Sequence, residues 1–262
     1  MTSTKYFFIL ICLSSFFAKV ELFASSSYFT SQLGKSVDVR KVFEDEEGRA
    51  SDLNSLISKK PTLLAFVYYS CPNSCELLLR GLALSLSRID RLMGDKYNVI
   101  VLSIDPLDKA SLAAERKSEF LRSYQAGFKR QPRADGVHFL VGGGASLLGV
   151  TQSVGLKVIR DEKTGEYAHP GVLAFISPDG RITNYLFGLN FSVADLDKGL
   201  DGAAQGKISA LIKKFIVVCA HYLPLEAVQS QKMMGIIRYS SVLFLMIMGA
   251  TLYLYSKKGR PV

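Results

Sequence analysis

The apolar run Leu63-Leu64-Ala65-Phe66-Val67-Tyr68-Tyr69 feeds directly into Cys71-Pro72-Asn73-Ser74-Cys75. An unbroken apolar run of this length reads as a strand buried on both faces. Beyond it, Leu77, Leu78, Leu82, Leu86 and Ile89 fall at helical spacing, which predicts a helix over Glu76 to Leu92. A buried strand running into an amphipathic helix commits the chain to helices layered on a sheet. The junction carries two thiols. The spacing predicts Cys71 at the helix N-terminus, where the dipole and free N–H groups favour thiolate, and Cys75 one turn on along the same face. Such a pair can close a disulfide or hold a soft metal.

The rest of the body repeats the alternation. Lys41-Val42-Phe43 reads as a strand, with Asp45 to Arg49 as a polar turn. Asn98 to Ile104 is a second buried strand ended by Asp105-Pro106, and Leu112 to Tyr124 is a charged amphipathic helix. Val137 to Val141 is a third strand. Gly142-Gly143-Gly144 lacks the Lys-Ser/Thr ending of a phosphate loop and reads as a turn into the helix Ala145 to Val154. Gly171 to Ile176 and Ile182 to Phe187 flank the hairpin turn Ser177-Pro178-Asp179-Gly180, and Ser192 caps a last helix to Ala204. Strand–helix alternation followed by a hairpin and a helix predicts an α/β, thioredoxin-like fold, a central sheet flanked by helices.

The two ends predict export and anchoring. Residues 1–24 read as a signal peptide: Lys5, the apolar stretch Tyr6 to Phe17, then small residues near Ala24-Ser25. Cys12 lies within that stretch behind Ile11, where a lipoprotein signal needs a small residue, so it reads as a discarded signal cysteine. Residues 236–256 read as a transmembrane helix. Ile236 to Tyr255 is 20 residues, about 30 Å as a helix, which matches a bilayer core. Lys257, Lys258 and Arg260 place the tail, 257–262, in the cytoplasm. The net charge of +9 therefore says little. Setting aside the charges of the two ends leaves 26 basic against 22 acidic residues, no nucleic-acid footprint. The odd set Cys71, Cys75 and Cys219 that remains is no disulfide framework.

Of the three histidines, His138 lies within a strand pattern and reads as a packed or edge residue. His169 stands at the mouth of the hairpin, before Pro170-Gly171, as a loop residue able to face the cysteine helix. His221 follows Cys219 by two positions. Only an extended segment could put both on one face. The plain reading is a packed cysteine and an interfacial histidine; the sharper one is a secondary metal site of Cys219 and His221.

Phe66 to Cys75 resembles the motif of the Sco/SenC family of copper-binding proteins. Ser103-Ile104-Asp105-Pro106, Val137 to Gly142, Tyr167-Ala168-His169 and Phe175 to Arg181 are similar to that family's second strand, third strand, histidine loop and hairpin. The resemblance covers residues 38–206, leaving 25–37 as a linker and 207–235 as a juxtamembrane segment. The C-terminal anchor is similar to that of a bacterial subgroup. The resemblance implies one copper ion, Cu(I) or Cu(II), held by Cys71, Cys75 and His169. It implies a copper chaperone for the binuclear copper centre of cytochrome c oxidase subunit II. It further implies an upstream copper donor and a domain on the periplasmic side of the bacterial inner membrane. Two thiolates and an imidazole suit copper in both oxidation states. The chain has Ala168 where many members carry an acid before the histidine. The competing function is a thiol–disulfide oxidoreductase in which Cys71 attacks and Cys75 resolves. A peroxiredoxin-like peroxidase would want Thr or Ser where Tyr68 stands, three residues before Cys71.

Overall fold

The computed structural model describes residues 28–57, 59–71, 74–127, 132–209, 218–219 and 237–251. In chain order these contain β1 (Val42–Glu44), β2 (Ala50–Asp52), α1 (Leu53–Ile57), β3 (Thr62–Val67), α2 (Ser74–Leu86), β4 (Asn98–Ser103), α3 (Ala110–Gly127), β5 (Val137–Leu140) and α4 (Gly144–Ser153). They continue with β6 (Ile159–Arg160), β7 (Tyr167–Pro170), β8 (Val172–Ile176), β9 (Ile182–Phe187), α5 (Val193–Ala204) and β10 (Val218–Cys219). A further helix covers 237–251.

The main sheet has the order β5-β4-β3-β8-β9. Strands β3 and β4 are buried at every position, as their apolar sequences demand. They run parallel, with Thr62 opposite Asn98 and Val67 opposite Ser103. Strand β5 extends the parallel half, while β8 and β9 add an antiparallel pair on the other side of β3. The result is a mixed α/β domain with a central sheet flanked by helices, consistent with the thioredoxin-like expectation. The strand that leads to the thiols is therefore at the middle of the sheet.

Edges are tied down by polar contacts. Hairpin β1–β2 docks on the end of β5 through reciprocal bonds between Glu44 and Val141, at 2.8 and 2.9 Å. The Glu46 carboxylate accepts the Phe139 N–H at 2.9 Å and pairs with Lys117 of α3. His138 donates from Nε2 to the Asp135 carbonyl at 3.0 Å, the edge residue its strand pattern predicts. Residues 28–37 lie against the domain: Phe29 meets Tyr185 and Phe187 edge-on, each at 4.9 Å between ring centroids.

Some elements differ from the sequence expectation. Helix α2 stops at Leu86, because Arg88 and Ile89 donate to Ser85 and Leu86 in tighter three-residue turns and the Ser87 hydroxyl bonds back to Leu84. Strands β2, β6, β7 and β10 are two to four residues long and are created by pairing rather than by pattern. The signal over 1–24 lies outside the described residues, and the anchor over 236–256 lies partly outside them. Its described part, 237–251, is helical with Val242, Leu243, Phe244, Leu245, Met246 and Ile247 exposed. Among the described residues no helix is long and apolar enough to cross a membrane.

Helix α5 packs so closely that a Cβ on Gly199 would sit 2.5 Å from two ring carbons of Phe175, a fully buried residue of β8. Gly199→Ala is expected to destabilise the domain by about 1–2 kcal/mol, overpacking outweighing the helix propensity gained. Thermal melting followed by circular dichroism checks this; an unchanged or raised Tm would mean that the ring yields.

Candidate metal centre

The backbone that presents the thiols is pinned from below. The Asp108 carboxylate, buried in the loop after β4, accepts the Tyr69 N–H at 2.7 Å and the Ser103 hydroxyl at 2.6 Å on the same oxygen. Arg116 of α3 donates from Nε to the Tyr69 carbonyl at 2.9 Å. The Tyr69 hydroxyl reaches the carbonyls of Val101 and Leu140, locking the ring under the sheet. The Cys71 N–H then donates to the Tyr68 carbonyl at 3.2 Å, closing a tight turn out of the strand.

Helix α2 begins at Ser74, so Cys75, its second residue, occupies the N-terminal turn and Cys71 precedes the helix. The reason is Pro72, whose ring disfavours helical backbone at the residue before it. The expectation of Cys71 at the helix start is corrected accordingly. Cys71 is 9% exposed and Cys75 3%, and they are not joined by a disulfide.

His169 lies within strand β7, not in a loop, and is fully buried. The difference arises because β7 pairs on both sides, with Ala168 opposite Ile159 of β6 and His169 opposite Cys219 of β10. The ring Nδ1 lies 3.1 Å from the Pro170 carbonyl. A carbonyl only accepts, so Nδ1 carries the proton and the lone pair of the neutral ring is on Nε2. That Nε2 is buried with no hydrogen-bond partner. Burial drives the imidazole pKa down to about 4, against smaller opposing effects of the Pro170 carbonyl and the Cys71 sulfur. The ring is neutral at pH 7, and Cys71 is within its electrostatic reach. Among the described residues, however, no three His, Cys, Asp or Glu side chains are drawn together closely enough to hold a metal as they stand.

Tyr68, Tyr167 and Asp105 connect the thiol turn, β7 and the loop after β4. Tyr68, 9% exposed, is hydrogen-bonded to Cys71; burial first, then Cys71 and Cys75, raise its pKa, so its O–H stays protonated and donates towards the sulfur. Its ring is 5.5 Å from that of Tyr167, whose hydroxyl donates to Asp105 at 3.1 Å. Strand β7 is thereby tied to the loop after β4. The signal that could have found Tyr68 is its place three residues before Cys71, at the end of the central strand.

Of the second candidate pair, Cys219 lies in β10 and His221 lies outside the described residues.

The buried ring has a consequence for pH. A histidine in the unfolded chain takes its proton near pH 6.5, the folded one only at about 4. Between these values the unfolded state binds more protons, so stability rises with pH. The histidine's contribution is whole above about 6.5 and is lost as pH falls, by ~3 kcal/mol once both values are passed. Urea midpoints of the metal-free protein and of His169→Leu, measured from pH 7 to 4, check this. The variant should show a shallower fall; equal falls would contradict burial of a neutral ring.

No protein-family model and no curated relative matches the chain. Solved structures do. A protein from Aquifex aeolicus VF5 named for electron transfer is 21% identical, over 67% of this chain and 95% of its own, with a TM-score of 0.56. A second from that organism, named for electron transport, is 20% identical, over 66% and 99%, at 0.54. Arabidopsis thaliana ScoI, solved with copper bound, is 20% identical, over 63% and 96%, at 0.50. At such identities the likeness establishes the fold: an α/β domain, here with two thiols at the end of its central strand.

Proposed function

We propose that this chain is a copper-binding protein of the Sco/SenC kind, a metallochaperone that takes up one copper ion through Cys71, Cys75 and His169. The observation that carries this reading is the buried, unpartnered Nε2 lone pair of His169. Leaving such a group unpaired costs about 1–3 kcal/mol, and a soft metal beside two thiols is the partner its chemistry fits. A dithiol oxidoreductase needs no such imidazole. The copper bound to ScoI and the resemblance of the motifs around Cys71 and His169 support the choice of metal.

The residues act by holding and exchanging ligands. The Pro170 carbonyl fixes the ring tautomer with Nε2 free to bind. Tyr68 lends an O–H to the Cys71 sulfur and moderates its charge while no metal is bound. Cys71, outside the helix and the more exposed of the two thiols, is the first to exchange with a client. The client of this reading is the binuclear copper site of cytochrome c oxidase subunit II. The apolar segment 236–256 would hold the domain at the periplasmic face of a bacterial inner membrane, and the exposed apolar face of helix 237–251 supports such a seat.

Anaerobic titration of the full-length chain with Cu(I) tests the proposal. One tight equivalent is expected, lost in Cys71→Ser and Cys75→Ser; full affinity in both variants would remove the metal reading. A dithiol-exchange assay on His169→Ala separates the oxidoreductase, which would retain its rate while losing no function.

A further inference from the structure

We propose that the Tyr68 hydroxyl acts through the Cys71 sulfur to bias the copper site towards Cu(I) over Cu(II). The inference rests on the copper reading above and deepens it by naming the oxidation state of the cargo. Tyr68 follows directly on β3, whose last residue is Val67. It meets Cys71 twice. Its carbonyl accepts the Cys71 N–H at 3.2 Å, and its hydroxyl is hydrogen-bonded to the Cys71 side chain.

The surroundings fix where this hydroxyl sits. The next peptide is held from both ends, the Tyr69 N–H by Asp108 at 2.7 Å and the Tyr69 carbonyl by Arg116 at 2.9 Å. The Tyr68 ring lies 5.5 Å from that of Tyr167, inclined by 59°, and the Tyr167 hydroxyl is itself fastened to Asp105 at 3.1 Å. A donor placed this way needs no rearrangement to serve the sulfur.

Charge decides what such a donor does. Two thiolates, a neutral imidazole and Cu(I) sum to one net negative charge, and the same ligands with Cu(II) sum to zero. Cys71, Cys75 and His169 are all buried. Water therefore solvates the negative assembly poorly, and burial alone favours Cu(II). An O–H bonded to sulfur opposes that bias. It stabilises charge held on the thiolate, most where the sulfur keeps that charge and least where Cu(II) draws it into the metal–sulfur bond.

Two measurements on the full-length chain in detergent micelles test the inference. The first needs no metal. The Cys71–Cys75 pair is equilibrated with glutathione: the disulfide takes two electrons and two protons from two glutathione thiols, giving the dithiol and glutathione disulfide. Mass spectrometry of the peptide that contains both cysteines reads the ratio. Tyr68→Phe keeps the ring and removes only the donor to the reduced form, so it is expected to shift the equilibrium at least about fivefold towards the disulfide. An unchanged equilibrium overturns the bond to sulfur. The second is anaerobic competition with chelators, run once with Cu(I) and once with Cu(II). Tyr68→Phe is expected to keep one equivalent and to lower the ratio of Cu(I) to Cu(II) affinity at least about tenfold. Para-aminophenylalanine at position 68 returns an N–H donor on the same ring and should restore part of that ratio. An equal loss in both variants, or an unchanged ratio in Tyr68→Phe while Cys71→Ser loses binding, overturns this inference and leaves the copper reading standing. Unchanged affinity in Cys71→Ser and Cys75→Ser overturns the copper reading itself.

Discussion

Replacing His169 by alanine is expected to weaken Cu(I) binding at least about a hundredfold and to speed release of the ion. The reasoning starts from the backbone. Strand β7 is paired on both sides, so the ring cannot swing away without breaking a sheet. The Pro170 carbonyl holds the proton on Nδ1, and the neutral ring presents a ready Nε2. Because burial has lowered the pKa to about 4, no proton competes with the metal at neutral pH. A tenfold change in affinity is about 1.4 kcal/mol, so a hundredfold loss asks about 2.7 kcal/mol of one imidazole bond, modest for a metal ligand. Equilibrium competition and stopped-flow transfer to a chelator read both quantities. Affinity within a factor of two of the parent would place copper elsewhere.

Asp108→Ala is expected to have the largest effect on stability of any single polar change. Its one carboxylate oxygen satisfies a buried backbone N–H and a buried hydroxyl, and the residue is only 9% exposed. Truncation leaves the Tyr69 N–H and Ser103 hydroxyl without partners, at about 3 kcal/mol for the pair. For a domain of this size that corresponds to a fall in Tm of about 10 °C. The chain has no Trp, so circular dichroism is the direct probe. Because Tyr69 lies two residues before Cys71, the same variant should also bind copper less tightly. Asp108→Asn, which keeps an acceptor for Tyr69, should recover part of both losses. A Tm unchanged in Asp108→Ala would mean that the loop after β4 does not support the thiol turn.

How much of this was legible follows from where each signal resides. The runs Leu63 to Tyr69 and Asn98 to Ile104 could be read as central strands because strands buried on both faces spell out their burial residue by residue. The thiol pair was legible for the same reason, standing where the strand runs out. The setting of His169 was not. Pro170-Gly171 reads locally as a turn, while the strand it ends depends on neighbours from residues 159–160 and 218–219. Two-residue strands have no periodicity to detect. Nor could sequence choose between Asp105 and Asp108, three positions apart on one loop. Folding turns Asp108 inward to Tyr69 and leaves Asp105 to receive the Tyr167 hydroxyl. Cys219 could be noticed but not placed, since the register that sets it against His169 is a tertiary fact.

X-ray absorption at the copper edge of the full-length chain, loaded anaerobically with one equivalent of Cu(I), tests the central claim most directly. The account predicts a first shell dominated by sulfur with one imidazole, whose outer-shell scattering disappears in His169→Ala. A shell of nitrogen and oxygen alone, or a spectrum indifferent to that substitution, would contradict it.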